Sequence, residues 1–279
     1  MTVAIVMGTY NGAKYLDAQL QSIADQTWAD WTLVASDDGS TDSTARILRA
    51  FKDRYPSQVT LCPGPRKGLA ANFLAALRHI PRDITAVAFC DQDDVWAPAK
   101  LKRAIHRLGH TTTPTLYCSR RTICDQFLTP IGVTPRPIRR PCFANAMIEN
   151  IASGNVTVLN PTAAKLMLAA QPGRVAYHDW WAYQLVTGAG GRIVFDNAAP
   201  ILYRQHGQNH VGAAKGAAAW TSRIRRVAQG QFCADLDLHD AALRKNRHLL
   251  TPENQALLDR WSNMRHQCRA AVRPLPAHR

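Results

Sequence analysis

The segment Phe89–Trp96 reads FCDQDDVW and places three acidic residues between two apolar pairs. The run Ala86–Cys90 has the composition of a buried β-strand, so the acids follow the carboxyl end of that strand. Clustered carboxylates repel one another, and burial raises the cost of their charge. The pattern therefore predicts a site with a compensating cation, for which a hard divalent metal is the natural choice. A solvated loop is the alternative, and the flanking apolar residues disfavour it.

Short apolar runs alternate with helical patterns on either side of this segment. Further strands are predicted at Val3–Met7, Trp31–Ala35 and Val59–Cys62. A helix is predicted at Gly68–Ile80, where apolar residues recur on one face. This alternation predicts βαβ units, and hence an α/β fold with a mostly parallel, Rossmann-like sheet flanked by helices.

A second acidic pair, Asp37 and Asp38, follows the second predicted strand. Ligands of open α/β sheets bind beyond the carboxyl ends of the strands, so both groups of acids are expected to face one crevice. Taken alone, the segment Asp37–Ser40 is more typical of a turn that leads into a helix cap.

The second half of the chain is less regular. Residues 129–141 contain four prolines and three arginines, a composition that predicts a loop over a site. Strands are predicted at Arg192–Asp196 and Ile201–Arg204. From residue 213 onward the sequence is helical and basic, so the chain is divided into a domain at 1–212 and a helical C-terminal extension at 213–279.

The charge and cysteine content restrict the class of protein. A net charge of +14 over 279 residues is compatible with nucleic acid, anionic lipid or a phosphate-bearing ligand. Nucleic acid is not expected, because the acids concentrate at the predicted site, where they would repel a phosphate backbone. The seven cysteines are scattered and include no C-x-x-C pair, as in a cytoplasmic protein with reduced thiols. The sequence shows neither a secretory signal nor a membrane-spanning run.

Five motifs follow one another in a characteristic order. They are TYNG at Thr9–Gly12, SDDGSTD at Ser36–Asp42, DQDDVW at Asp91–Trp96, HDWW at His178–Trp181 and YRQHGQN at Tyr203–Asn209. The first three resemble the family 2 inverting glycosyltransferases of GT-A fold, and the last two resemble their rhamnosyltransferase-like subgroup. No single motif is specific, but five in this order, across roughly residues 2–212, indicate the family.

The resemblance implies a nucleotide-sugar site made by residues of several turns. In the family, the turn after the first strand cradles the nucleotide, and the acidic pair after the second strand reads a pyrimidine base. Which of the two acids faces the base stays open. The positions implied to bind the nucleotide sugar are Thr9, Tyr10, Asn11, Asp37, Asp38, Asn72, Asp91 and Arg204.

The metal ligands and the catalytic base are also implied by the resemblance. Asp93 matches a direct ligand of a divalent metal, Mg²⁺ or Mn²⁺, that holds the diphosphate, and His206 is implied to reach the same metal or a phosphate oxygen. The alternative for His206 is a structural histidine. Asp179 aligns with the base that removes the proton of the acceptor hydroxyl. Taken alone, an acid at a helix start is typical of a cap.

The implied function is transfer of a sugar, with rhamnose or another deoxysugar as candidates, from a UDP- or dTDP-linked donor to a saccharide or lipid-linked acceptor. The setting would be synthesis of cell-surface polysaccharide or O-antigen. The chain lacks the Gln-x-x-Arg-Trp motif of processive family members, which favours a non-processive enzyme. An NAD-dependent dehydrogenase would need G-x-G-x-x-G after the first strand, where this chain has Tyr10 in place of the second glycine. A basic nucleic-acid binder without catalysis is the other alternative.

The basic extension has two interpretations. Trp220, Ile224 and Val227 fall on one helical face among arginines, as in an amphipathic helix on anionic lipid. This interpretation predicts a cytoplasmic protein in peripheral contact with the inner face of the membrane. The alternative is a helix packed on the catalytic domain with a solvated basic rim.

Overall fold

The structure, a computed structural model, describes residues 2–207 and 230–272. Eleven strands lie within these residues, numbered here in chain order. They are β1 (Val3–Thr9), β2 (Trp31–Asp37), β3 (Val59–Pro63), β4 (Ala86–Cys90), β5 (Val95–Trp96), β6 (Thr115–Ser119), β7 (Thr122–Cys124), β8 (Pro130–Val133), β9 (Val158–Leu159), β10 (Arg192–Asp196) and β11 (Ile201–Arg204).

Seven of these strands form the main sheet, in the order β10-β6-β9-β4-β1-β2-β3. Strand β1 runs parallel to both of its neighbours, β2 and β4. Only the short β9 is antiparallel to the strands beside it. The predicted α/β class with a mostly parallel sheet is therefore confirmed.

Helices flank this sheet and bury its faces. They are α1 (Ala13–Ala24), α2 (Thr44–Arg54), α3 (Leu69–Ala76), α4 (Lys100–Leu108), α5 (Phe143–Ala146), α6 (Pro161–Ala169), α7 (His178–Gly188), α8 (Gln231–Lys245) and α9 (Pro252–Val272). All seven residues of β1 are buried, because helices and neighbouring strands enclose it on every side. A strand covered on both faces has no polar alternation, which explains its continuous apolar run.

A second, four-stranded sheet has the order β5-β11-β7-β8 and corrects one prediction. Residues 129–141 were expected to form a loop, but Pro130–Val133 is the edge strand β8, antiparallel to β7. A tight turn joins the two strands, in which the Asp125 carboxylate accepts hydrogen bonds from the amides of Phe127 and Thr129, both at 2.9 Å. Proline is tolerated there because an edge strand has one side without ladder hydrogen bonds.

The described part of the C-terminal extension packs on the rest of the chain. Leu236 and Leu243 of α8 and Leu258 of α9 are buried in the same apolar core as the sheet. Residues 220, 224 and 227, on which the amphipathic-helix interpretation rests, lie outside the described residues. Across the described ranges, no helix combines the length and the apolarity that a membrane span requires. The division at residues 212 and 213 stays a proposal.

A buried carboxylate ties α4 to the edge of the main sheet. Asp196, the last residue of β10, receives two hydrogen bonds from the Arg103 guanidinium, at 2.6 and 2.9 Å. The hydroxyl of Tyr117 donates a third, at 3.1 Å. These bonds, led by that from Arg103, lower the pKa of Asp196 from 3.8 to about 2.

We expect Asp196→Asn to lower the free energy of unfolding by about 1–2 kcal/mol at pH 7. The shift from 3.8 to about 2 corresponds to about 2 kcal/mol, reduced because the half-exposed Arg103 is screened by solvent. The pKa is depressed in the folded state, so the contribution is complete above about pH 4 and is lost as the pH falls towards 2. Urea unfolding from pH 7 to pH 3 measures this, with Asp53→Asn, at an exposed position, as the control. A difference that stays constant with pH would contradict it.

Candidate functional site

The acid groups predicted to share a crevice follow β2 and β4, which are the two neighbours of β1 in the main sheet. In the main sheet β1 lies between β2 and β4, so the residues that follow these three strands are neighbours. Thr9, the last residue of β1, pairs in register with Asp37, the last of β2. On the other side Met7 pairs with Cys90, the last residue of β4 before the acids.

Asp37 is engaged by hydrogen bonds within the turn after β2. Its carboxylate accepts from the hydroxyl of Thr9 at 3.0 Å and from both the amide and the hydroxyl of Ser40, at 3.0 and 2.5 Å. Thr9 is itself buried, and its hydroxyl also lies 3.3 Å from the carbonyl oxygen of Ser36. The side chains of Thr9 and Asp37 therefore hold together the ends of β1 and β2, which form one wall of the crevice.

Asp38 and Asn72 connect this wall to the segment after β3. The Asp38 carboxylate accepts hydrogen bonds from the amides of Arg66 and Gly68, at 2.6 and 2.9 Å. Asn72 is buried and donates through Nδ2 to the carbonyl oxygen of Ser36 at 2.9 Å. Its amide group therefore bridges α3 and the end of β2.

The turn after β1 is held by Gln92, a residue for which no role was predicted from the sequence. Gln92 accepts from the amide of Tyr10 at 2.9 Å and donates to the carbonyl of the same residue at 3.0 Å. Gln92 also packs on Gly12, where an added Cβ would lie 2.2 Å from its Oε1. The Tyr10 ring stays 58% exposed, whereas Asn11 is held by a 2.8 Å hydrogen bond from its amide to the hydroxyl of Ser40.

The acids after β4 occupy different environments. Asp94 is fully buried and accepts from the side chain of Asn155 at 2.6 Å and from the amide of Arg204 at 3.2 Å. Burial and the nearby Asp93 raise the pKa of Asp94 to about 7. Burial, followed by the charges of Asp94, Asp93 and Asp179, raises the pKa of Asp91 well above its usual value. The ionised cluster is thus costly without a cation.

A buried lysine behind the acids supplies part of the compensating charge. Lys100 begins α4 and is fully buried, with Nζ 3.4 Å from the centre of the Trp96 ring. Burial lowers the pKa of this ammonium group to about 7, although the nearby Cys90, Asp94 and Asp91 favour its charged form. The sequence offered no signal for this role, since a lysine at a helix start is usually solvated.

Asp93 and His206 are brought together from positions 113 residues apart. Oδ2 of Asp93 lies 2.8 Å from Nε2 of His206, whose ring packs on Tyr15 with the centroids 4.7 Å apart. Arg204 holds this arrangement, because its guanidinium donates to the carbonyl oxygens of Asp93 and Gln126, at 2.9 and 2.8 Å.

This pair of donors fits a metal that takes its remaining ligands from a substrate. Within residues 2–207 and 230–272, no group of three or more His, Cys, Asp or Glu side chains could hold a metal ion. Mg²⁺ commonly binds one or two carboxylates and completes its coordination with water and substrate phosphates. Carboxylate and imidazole together also suit Mn²⁺.

Asp179 lies in the first turn of α7, with its carboxylate oriented by two backbone amides. Oδ2 accepts from the amide of Gly154 and Oδ1 from that of Trp180, both at 2.7 Å. This position also lies beside the positive end of the helix dipole. Because Asp179 contributes to the raised pKa of Asp91, the two carboxylates lie within electrostatic reach of each other.

His178, beside Asp179, is packed as an aromatic core residue. Its ring stacks on Phe73 with the centroids 3.8 Å apart and meets the edge of Phe89 at 4.9 Å. Burial lowers its pKa to about 4, so the imidazole is neutral at physiological pH. Trp180 and Trp181 are buried as well, which favours the core interpretation of these indoles over stacking on a sugar.

A cavity of about 760 Å³ adjoins this crevice. It lies between the start of α3, the segment before α7 and the helix α8, and its lining includes Lys67, Gly68, Leu74, Arg174, Tyr177 and Leu238. Gly68 is bonded to Asp38, and Tyr177 is two residues before Asp179. The cavity is therefore lined by one residue that is bonded to Asp38 and by the segment that leads into α7.

Comparison with known proteins gives one family and several relatives. A profile described as Glycosyl transferase family 2 matches residues 4–150. The dTDP-rhamnosyl transferase RfbG of Shigella flexneri is 29% identical over 221 residues, which cover 74% of this chain and 74% of that protein. The UDP-Glc:alpha-D-GlcNAc-diphosphoundecaprenol beta-1,3-glucosyltransferase WfgD of Escherichia coli is 28% identical over 158 residues, 56% of this chain and 59% of its own length.

Solved structures share the fold. TarS 1-349 of S. aureus in complex with UDP-GlcNAc has a TM-score of 0.57 at 18% identity, over 81% of this chain and 65% of that one. The mannosyltransferase PcManGT from Pyrobaculum calidifontis in complex with GDP-Man and Mn²⁺ has a TM-score of 0.56 at 19% identity, over 94% of this chain and 79% of that one. The predicted GT-A fold is thereby confirmed.

The different environments of two acids in the cluster predict opposite effects on stability. We expect Asp94→Asn to lower the free energy of unfolding by about 1–3 kcal/mol, because asparagine cannot accept both buried hydrogen bonds. Asp91→Asn is expected to raise it at pH 7 to 8, since the neutral amide removes a buried charge repelled by its neighbours.

Urea unfolding in the presence of EDTA measures both variants. The increase in the free energy of unfolding from Asp91→Asn should shrink as the pH falls towards 4. A carboxyl whose pKa is raised in the folded state no longer destabilises the protein once it is protonated in both the folded and the unfolded state. If Asp91→Asn destabilised the protein as much as Asp94→Asn, the electrostatic account of the cluster would be wrong.

Proposed function

The chain belongs to glycosyl transferase family 2, and from this premise we propose that it transfers a sugar from a nucleoside diphosphate to an acceptor hydroxyl with inversion. The observation that carries the proposal is the meeting of Asp93, His206, Asp91 and Asp179 at one edge of the sheet. A two-donor metal site and a separately held carboxylate are the two parts that such a transfer needs. The transfer is proposed to be non-processive.

The donor is proposed to be a UDP- or dTDP-linked sugar, with rhamnose or another deoxysugar as candidates. The name of the Shigella relative specifies a dTDP-rhamnosyl transferase, and the S. aureus structure holds UDP-GlcNAc. Asp38 is the better candidate for the base contact, because it accepts one hydrogen bond at each oxygen, whereas Asp37 accepts three in all. A free lone pair of Asp38 can accept the imide N–H of uracil or thymine.

The diphosphate is proposed to lie over Asp93 and His206. A divalent cation at this pair supplies Lewis-acid stabilisation of the charge that grows on the leaving diphosphate. Arg204 fixes the pair through the Asp93 carbonyl and keeps a cationic group beside it. A cation at this pair would offset the carboxylate repulsion that helps to raise the pKa of Asp91. The exposed Tyr10 ring faces solvent at the turn assigned to the nucleotide.

Asp179 is proposed to be the base of the transfer. Its two oxygens each accept one backbone amide, which leaves lone pairs for the proton of the acceptor hydroxyl. Inversion follows from a single displacement, for which one base is sufficient. The cavity lined by Tyr177 is proposed to receive the saccharide or lipid-linked acceptor. Synthesis of cell-surface polysaccharide at the inner face of the membrane is the proposed setting.

The proposed metal site is tested by removing each of its two protein ligands, Asp93 and His206. We expect Asp93→Asn and His206→Ala each to weaken UDP or dTDP binding in Mn²⁺ at least about tenfold, while binding in EDTA stays as in the unaltered protein. Titration calorimetry with and without Mn²⁺ measures this. The matched controls are Asp53→Asn and His79→Ala, both at exposed positions. Equal losses with and without metal would refute the metal role.

The base is tested by separating binding from transfer. We expect Asp179→Asn to lower kcat about 10²- to 10⁴-fold, because an amide cannot take the proton, while the affinity for the donor is kept. Transfer from labelled UDP- and dTDP-sugars is measured beside donor binding, and the anomeric configuration of the product is read by NMR. Asp83→Asn, at an exposed position, is the control. Persisting transfer would remove Asp179 from the mechanism, and a retained configuration would remove the single displacement.

A further inference from the structure

The β7–β8 hairpin and the segment after it expose an unusual set of side chains. Among the described residues, seven large hydrophobic side chains are exposed, and four of them fall between residues 127 and 138. We define the hairpin surface as these four hydrophobic side chains together with the three exposed arginines between residues 136 and 140. Its members are Phe127 (78% exposed), Ile131 (48%), Val133 (44%), Ile138 (fully exposed), Arg136, Arg139 and Arg140.

The geometry of β8 explains why these apolar groups are not covered. It is an edge strand of the smaller sheet, and among the described residues it pairs only with β7, so no described strand covers its outer side. Side chains from both of its faces are exposed, namely Ile131 and Val133 on one face and Pro130 at the start of the other. An exposed apolar edge is a liability in water unless a partner covers it, and such surfaces mark interaction sites.

The charge of this region indicates the kind of partner. No Asp or Glu occurs between Asp125 and Glu149, although the whole chain has 20 acidic residues. The three arginines therefore give the segment a charge of +3, and all three are exposed. Arginines beside exposed aliphatic side chains suit the interface of an anionic bilayer. The arginines can contact the lipid headgroups there, and the aliphatic side chains can insert among the acyl chains.

Nucleic acid fits this surface less well. Proteins that bind single strands combine cations with several aromatic rings on which bases stack. The hairpin surface has one ring, at Phe127, and three aliphatic side chains. Aliphatic side chains are stabilised little by contact with stacked bases, but burial in the hydrocarbon of a bilayer is favourable for them.

Two hydrogen bonds connect the hairpin to the candidate active site. The carbonyl oxygen of Gln126, at the hairpin turn, accepts from Arg204, which also holds the Asp93 carbonyl. Arg121, before β7, donates to the hydroxyl of Ser153 at 2.7 Å, and the next residue, Gly154, bonds the Asp179 carboxylate. We propose that the hairpin surface docks the protein on an anionic lipid bilayer, with the crevice held at that surface. Docking does not depend on the transferase chemistry proposed above.

The test is co-sedimentation of the full chain with vesicles of phosphatidylcholine alone or with one-third phosphatidylglycerol. Arg139→Glu/Arg140→Glu should lower the partition coefficient on anionic vesicles at least about tenfold, because each cation near such a surface contributes roughly fivefold. Phe127→Ser/Ile138→Ser should lower it severalfold and leave the salt dependence intact. The matched control is Arg46→Glu/Arg49→Glu, an equal charge change at two exposed positions of α2.

Binding lost in both hairpin variants and kept in the control supports the proposal, as does release of the unaltered chain by 0.5 M NaCl. Three results overturn it: no binding to anionic vesicles, binding that survives both hairpin variants, or binding to single-stranded nucleic acid that depends on the same residues while vesicles are ignored. Each variant is checked for an unchanged urea midpoint and unchanged UDP binding in Mn²⁺. A failed transfer assay with intact vesicle binding would count against the proposed function alone.

Discussion

Carboxylates that repel one another are crowded into one crevice, and the surrounding contacts are arranged to offset this repulsion. The Asp94 carboxylate is stabilised by hydrogen bonds from Asn155 and a backbone amide, and the Asp179 carboxylate by hydrogen bonds from two backbone amides. Asp91 has its pKa raised by burial and by all of its acidic neighbours. Lys100 compensates this charge only in part, since its own pKa falls to about 7 in the same dry environment. The divalent cation proposed at Asp93 and His206 would offset part of the remaining repulsion.

Much of the polar chemistry around the crevice holds its walls in place. Thr9, Asp37 and Asn72 make hydrogen bonds between β1, β2 and α3, and Gln92 clamps the turn that carries Tyr10. Groups held in this way need little reorganisation when charge develops, which is how preorganised sites stabilise transition states. A motif residue can thus matter for the reaction without touching the nucleotide.

The smaller sheet links the site to the surface of the protein. Strand β11 leads to Arg204 and His206, while the turn between β7 and β8 accepts a hydrogen bond from Arg204. Asp93 and His206, the hairpin and the segment that orients Asp179 are therefore joined by a few hydrogen bonds. A surface that holds the hairpin also fixes the direction in which the crevice opens, which is an advantage for an acceptor that is confined to a lipid layer.

Strands β1 to β4 and the acids that follow β2 and β4 could be predicted from local sequence, because burial of a strand imposes an apolar run, whereas β6 was recognised only in the structure. Local composition was misleading in residues 129–141, where prolines and arginines are typical of a loop but pairing with β7 makes Pro130–Val133 a strand. Tertiary structure alone decided the contact of Asp93 with His206, the hold of Gln92 on Tyr10 and the bond between Gly154 and Asp179. Periodicity records which residues are buried, whereas the partner of a polar group is selected by packing across distant parts of the chain.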